Sequence, residues 1–227
     1  MGRLMWEGDL GDDYTRRNLE VADRSAFFET LSEYGLENIF ELGCNVGANL
    51  EAIEKSLMSY VCGCDVNELA LEIAAEKGLS VYRDDATNLS CPNDRFEMVF
   101  TCGLMIHMRS ADMIRCMKEM NRKSSRMVMI MEYMGDDIAT PYRGDRLFKR
   151  DYGNIYNALF PEAVLVRTGF LPQEMGFDDV TYWIFYGTRD CASEDGFKEV
   201  AREGDAESRG KDFAPSSAVK TGEIGTT

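Results

Sequence analysis

The run Glu41-Leu42-Gly43-Cys44-Asn45-Val46-Gly47, followed by an acid at Asp65, has the residue types of a turn that holds a nucleoside. Asn38 to Leu42 is a short apolar run suited to a buried strand, and Leu50, Ile53 and Leu57 recur on one face of a helix predicted from Ala48 to Leu57. The glycines between them permit positive φ and close approach, so backbone N–H groups at a helix N-terminus can face a ligand. Asn45 stands where a dinucleotide-binding turn needs its second glycine, and its side chain crowds the place of a pyrophosphate. A ligand without phosphates fits better. Asp65 lies 22 residues after Gly43 and closes the apolar segment Tyr60 to Cys64, where its carboxylate can take both ribose hydroxyls.

Leu79 to Arg83 reads as a third strand ending in Asp84-Asp85-Ala86, which puts an acid within reach of an adenine amino group. Phe96 to Cys102 reads as a fourth, opening into Gly103. Ligands of open α/β sheets bind beyond the carboxyl ends of the strands, where all these residues lie. The layout resembles the class I S-adenosylmethionine methyltransferases. Glu41, Gly43 and Gly47 match that family's first motif, Asp65 its ribose-binding acid, and Asp85-Ala86 its adenine-binding pair.

Further motifs sharpen the resemblance. Trp6-Glu7-Gly8, Gly11 to Asn18, Glu41 to Gly47, Gly103 to His107, Glu132-Tyr133, Tyr142-Arg143-Gly144 and Leu147 to Asp151 follow one another in this order. From Trp6 to about Asp190 the chain is similar to the pseudaminic acid biosynthesis-associated methylases. The resemblance implies S-adenosylmethionine as cofactor and an acceptor from surface-sugar metabolism. It also implies cofactor contacts from Cys44, Asn45, Val66, Thr101 and Gly103, beside the residues already named. Tyr14 and Asn18 share one helical face and can close over the cofactor, with Trp6 as a lid or as packing.

Methyl transfer needs an acceptor atom held in line with the methyl group, in a site that excludes water. A hydroxyl acceptor also needs a base, and imidazole suits that near neutral pH. The single histidine, His107, follows the fourth strand by a few residues and is the candidate, with a structural role as the alternative. Arg143, Arg146, Lys149 and Arg150 form a local basic cluster able to clamp a carboxylate or phosphate, against the alternative of a solvated loop. With Tyr133 and Tyr142 on the same edge, Arg143, Lys149 and Arg150 become expected contacts of a small anionic acceptor.

A net charge of −15 argues against nucleic acid as a partner, because phosphate binding depends on a basic face. No apolar stretch approaches membrane-spanning length, so a cytoplasmic protein without membrane association is expected. Seven cysteines without a Cys-x-x-Cys pair, and one histidine, make no metal set, and free thiols fit a reducing compartment. Cys62 and Cys64 share one strand face as small buried hydrophobes. Met113, Met117 and Met120 on a helix and Met127, Met129 and Met131 on a strand read as core filler.

The positioning elements follow from this reading. Residues 1–35 form a helical lead-in whose Val21, Phe27, Phe28 and Leu31 cover the sheet edge or the cofactor. Residues 36–190 form a Rossmann-like α/β domain with a mostly parallel seven-stranded sheet. Helices are expected at Glu68 to Lys77, Ala111 to Lys123 and Asp151 to Leu159, and a fifth strand at Arg126 to Tyr133. Met134 to Arg150 is expected to be irregular. Strands near Ala163 to Arg167 and Val180 to Thr188 then close the sheet as an antiparallel pair, and residues 191–227 form a disordered tail. Two other readings compete: a nicotinamide-dependent oxidoreductase, disfavoured by Asn45 and Asp85-Ala86, and a non-catalytic cofactor-binding subunit.

Overall fold

The computed structural model describes residues 6–142 and 145–187. Strands β1 (Asn38–Leu42), β2 (Tyr60–Asp65), β3 (Ser80–Arg83), β4 (Phe96–Cys102) and β5 (Ser124–Glu132) run parallel. After β5 the chain makes a separate hairpin, β6 (Ile138–Tyr142) and β7 (Asp145–Lys149). It returns to the sheet as β8 (Val164–Leu171) and β9 (Val180–Tyr186), with β9 antiparallel to β5 and β8 at the edge. The sheet order is β3-β2-β1-β4-β5-β9-β8. The order reverses at β1 and β4, and the crevice beyond their carboxyl ends is the place where such sheets bind ligands.

Helices flank both faces: α1 (Asp9–Arg17), α2 (Ser25–Glu29), α3 (Ala48–Ser56), α4 (Glu68–Glu76), α5 (Ser110–Lys123) and α6 (Tyr152–Leu159). Interior parallel strands are buried on both sides, so their residues read as continuous apolar runs. On one face Phe40, Cys62, Cys64, Val99, Val128 and Ile130 pack against Met113, Met117 and Met120 of α5 and Tyr152 and Tyr156 of α6. On the other, Ile39, Met98, Phe100, Met127, Met129 and Met131 meet Phe27, Phe28, Leu31, Leu50 and Ile53. The methionines and the Cys62/Cys64 pair therefore fill core positions, as their spacing predicts.

Two expectations change. The stretch after β5 is a hairpin rather than an irregular loop, with Ala139 opposite Phe148 and Thr140 opposite Leu147. Its strand pattern was masked by Pro141 and by a run of charges, features that edge strands tolerate because one side of each needs no ladder partner. The aromatic part of the lead-in covers the centre of one sheet face, not an edge: the Phe28 ring lies tilted with its centre 6.1 Å from that of Phe100 of β4. The tail beyond residue 190 lies outside the described residues.

Candidate active site

The first turn is built from left-handed backbone. Gly43, Asn45 and Gly47 have φ of 72°, 44° and 79°, and a Cβ at Gly47 would come within 2.2 Å of Leu79. Gly43 and Cys44 both donate to the Cys64 carbonyl, and Gly47 donates to that of Cys44. The Asn45 N–H donates to Asp65 Oδ2 at 2.9 Å. These four N–H groups are thus used within the protein, unlike the free donors expected from the sequence. Phosphate recognition at a helix N-terminus needs free donors. The turn offers close approach instead, which suits a ligand without phosphates.

Asp65 is held at the end of β2 by the Asn45 and Asn67 N–H groups, which offset the burial that raises its carboxyl above the usual range. Asp84, Asp85, Ala86 and Thr87 follow β3, and Asp85 Oδ1 accepts from the Thr87 N–H at 2.9 Å. These residues, Val66 and the first turn wall a cavity of about 490 Å³.

Glu41 closes the floor of this cavity and is 1% exposed. Its Oε1 accepts from Asn49 at 2.6 Å, while Oε2 has no hydrogen-bond partner. Burial pushes the carboxyl up to about 8, partly offset by Asn49 and the nearby Arg24. Arg24 also lines the cavity; it donates from Nη1 to Asn49 Oδ1 and from Nε to the Gly176 carbonyl, both at 2.7 Å. Desolvation favours the protonated acid here, so a cationic group beside Oε2 would restore the carboxylate. Sequence reading missed Arg24 and Asn49, because neither carries a motif and the fold alone brings them to Glu41.

The lead-in is pinned over the turn by Asn67. Its amide donates to the Trp6 carbonyl at 3.0 Å and to Asp12 at 2.9 Å, and its Oδ1 caps α4 through the Ala70 N–H. Thr15 adds its hydroxyl, 3.1 Å from Asn45 Oδ1. A Cβ on Gly11 would meet the Trp6 carbonyl at 1.9 Å, so the chain crosses itself there. Trp6, Tyr14 and Asn18 consequently face the cavity.

His107 sits on a 3-10 turn, Met105–His107, in the same wall. Buried Glu132 at the end of β5 fixes that turn by accepting from the Leu104, Met105 and Ile106 N–H groups at 3.1, 2.9 and 3.2 Å. Rings surround the imidazole, with Trp6 at 4.5 Å, Tyr142 at 5.3 Å and Tyr14 at 6.3 Å between centroids. Burial raises the Tyr14 phenol, and pushes that of Tyr133 up to about 12, so both stay protonated donors at neutral pH.

Not every expected contact reaches the cavity. Gly103, Cys44, Asp85, Ala86 and Tyr133 line it, whereas Thr101 is wholly buried in β4 and Gly47 caps α3 behind the turn. Arg150 is turned inward instead of toward an acceptor: it is 4% exposed, pairs with Asp137 at 2.8 Å, donates to the Met108 carbonyl and lies 4.1 Å from the Phe148 ring centre. Its charge is satisfied by the hairpin it anchors. Lys149 projects over Tyr133 into a neighbouring cavity. Arg143 lies outside the described residues.

Residues 39–124 match the family model of a methyltransferase domain. The fold is similar to that of magnesium protoporphyrin IX methyltransferase from Synechocystis with bound S-adenosylmethionine, at 12% identity and a TM-score of 0.61, covering 81% of this chain and 94% of that one. A second similar structure is the 1,6-didemethyltoxoflavin-N1-methyltransferase of Burkholderia thailandensis with bound 1,6-didemethyltoxoflavin and S-adenosylhomocysteine, at 14% identity and a TM-score of 0.57, covering 79% and 83%. A third is an S-adenosylmethionine-dependent methyltransferase from Mesorhizobium loti, at 18% identity and a TM-score of 0.53, covering 67% and 91%. No curated protein matches the chain. The sheet order, the antiparallel β9 and the domain match together give this chain the class I methyltransferase fold.

Proposed function

We propose that the chain is an S-adenosylmethionine-dependent methyltransferase acting on an oxygen or nitrogen of a small, anionic or sugar-derived acceptor. The observation that carries the cofactor is the floor of the cavity. Glu41 Oε2, buried and unpartnered, stands beside the Arg24 guanidinium, an acid and a base set to receive the ammonium and carboxylate of an α-amino acid. Asp65 offers acceptors for ribose hydroxyls, and Asp85 and Ala86 flank an adenine. A nicotinamide dinucleotide would instead need the turn's N–H groups for its pyrophosphate, and those of Gly43, Cys44, Asn45 and Gly47 are already used.

Bound S-adenosylmethionine would supply a methyl group on a sulfonium centre. The protein's own residues would do the rest. The lead-in, through Trp6 and Tyr14, excludes water from the cavity. His107, steadied by Glu132, takes the proton of an attacking hydroxyl, or only orients a nitrogen that attacks through its free lone pair. The likeness to the pseudaminic acid-associated methylases, and Lys149 near Tyr133, support an anionic sugar-like acceptor.

Calorimetric titration tests this reading. S-adenosylmethionine and S-adenosylhomocysteine are expected to bind with micromolar affinity, and 5′-methylthioadenosine, which lacks the amino-acid end, about 10-fold to 100-fold more weakly. NAD should not bind. Preference for NAD, or no binding by any of the three adenosines, overturns the proposal. Binding without turnover across acceptors would favour a non-catalytic subunit.

A further inference from the structure

A second cavity, of about 500 Å³, adjoins the first. Tyr133 and Asp178 line both, so these two residues form the partition between them. The remaining walls come from Met134, Lys149, Phe170, Asp179 and Thr181. Three parts of the fold therefore meet there: the end of β5, the base of the hairpin and the β8/β9 turn.

The turn that carries Asp178 is held unusually firmly. Arg24 ties the Gly176 carbonyl and lies 4.7 Å from the ring centre of Phe177, which is buried. Asp179 adopts a positive φ of 55° and accepts from the Gln173 backbone and side chain at 3.2 and 3.0 Å. A non-glycine residue in that conformation costs energy and persists only where its surroundings enforce it. Between these anchors Asp178 is exposed and makes neither a hydrogen bond nor an ion pair with the described residues. Lys149 likewise has no carboxylate partner among them; its ammonium lies 5.5 Å from the centre of the Tyr133 ring. Opposite charges thus line one cavity without joining in an ion pair. Met134 and Phe170, 53% and 57% exposed, make an apolar lip.

We infer that this second cavity is the distal subsite of the acceptor, and that the acceptor is a small molecule with an anionic group for Lys149 and hydroxyl or ammonium donors for Asp178. The inference rests on the methyltransferase reading and adds to it where the non-reacting part of the acceptor lies. The geometry is that of a bridge: a ligand passing the Tyr133/Asp178 partition would keep its methylated atom beside His107 and its anion over Lys149. Tyr133 lies under the Lys149 ammonium, which orders that flexible side chain for an incoming anion. Carboxylate and phosphate monoester share the required chemistry.

The test uses the full chain with S-adenosylmethionine, reading release of S-adenosylhomocysteine from three acceptor sets: hydroxy and amino carboxylates, hydroxylated phosphate monoesters, and neutral sugars and polyols. Turnover is expected from one anionic set, which also identifies the anion, and not from the neutral set. Lys149→Ala and Asp178→Asn are each expected to raise the acceptor KM about 10-fold while kcat changes less than about 3-fold, and Lys149→Arg should restore most of the loss. The affinity for S-adenosylhomocysteine should stay unchanged in both Lys149 variants, because Lys149 lines only the second cavity. Turnover of the neutral set alone, turnover of no set by a chain that binds S-adenosylhomocysteine, or an unchanged KM in both loss variants overturns the inference. A wild-type chain that binds no S-adenosylhomocysteine brings down the methyltransferase reading itself.

Discussion

Glu41 is the residue whose chemistry depends most on what occupies the cavity. Its carboxyl, pushed up to about 8 by burial, is largely protonated at pH 7 in the empty protein. A ligand ammonium beside Oε2 favours the ionised form, so binding should release a proton. Titrating S-adenosylhomocysteine at pH 7 in buffers of different ionisation enthalpy is expected to show release approaching one proton. Glu41→Gln should abolish that release and weaken binding at least about 10-fold. Release that persists in the variant would assign the proton to another group. For His107, replacement by alanine is expected to lower kcat by about 100-fold with a hydroxyl acceptor, and to remove the acidic limb of the pH profile. Unchanged turnover at every pH would leave the imidazole a packing role.

At the scale of elements, the 3-10 turn bearing His107 depends on β5 rather than on its own sequence. Three of its N–H groups converge on the buried Glu132 carboxylate, whose own range is pushed up to about 7 by desolvation despite those bonds. Removing the acceptor leaves two buried donors and a half-buried one to find other partners. Glu132→Ala is therefore expected to destabilise the fold by roughly 3 kcal/mol and to lower kcat together with His107. Denaturant unfolding measures the first effect and acceptor turnover the second; a variant of wild-type stability would show that the turn holds itself. The hairpin β6/β7 is a related case. Arg150, which reads in sequence as an acceptor clamp, spends its guanidinium on Asp137, the Met108 carbonyl and Phe148, and so fastens the hairpin next to the His107 turn.

For the whole molecule, the buried acids in and behind the cavity are a place where stability is given up. Glu41 and Glu132 have folded values of about 8 and about 7 against 4.5 for an unconstrained glutamate. With the folded state holding more protons than the unfolded one, their contribution to stability is complete below about pH 4.5 and declines as pH rises through the folded values. The melting temperature of Glu41→Gln relative to wild type should accordingly rise between pH 5 and pH 8, and saturating S-adenosylhomocysteine should remove most of that slope in the wild type. A pH-independent difference would mean that Glu41 is already ionised in the empty protein. The core shows the opposite balance, with both sheet faces covered by apolar side chains. Phe28→Ala, at a fully buried position against β4, is expected to cost about 3–5 kcal/mol by chemical denaturation.

By itself the sequence determined what local spacing controls: the alternation of apolar strands and amphipathic helices, the left-handed turn at Gly43 to Gly47, and the acids closing β2 and β3. Strand and helix periods are short, and a glycine or a terminal acid declares its role within a few residues. Those signals sufficed for the sheet and for the turn and acids that wall one end of the cavity. Only the tertiary structure decided which charges remain available. Arg24, Asn49 and Glu41 join across three elements, and Asp178 meets Lys149's cavity through two separate returns of the chain. It likewise withdrew Arg150 and four of the turn's N–H groups from ligand binding by giving them partners inside the protein. The physical reason is that a polar group's function depends on whether folding leaves it a partner, and its partners here are tens of residues away in sequence.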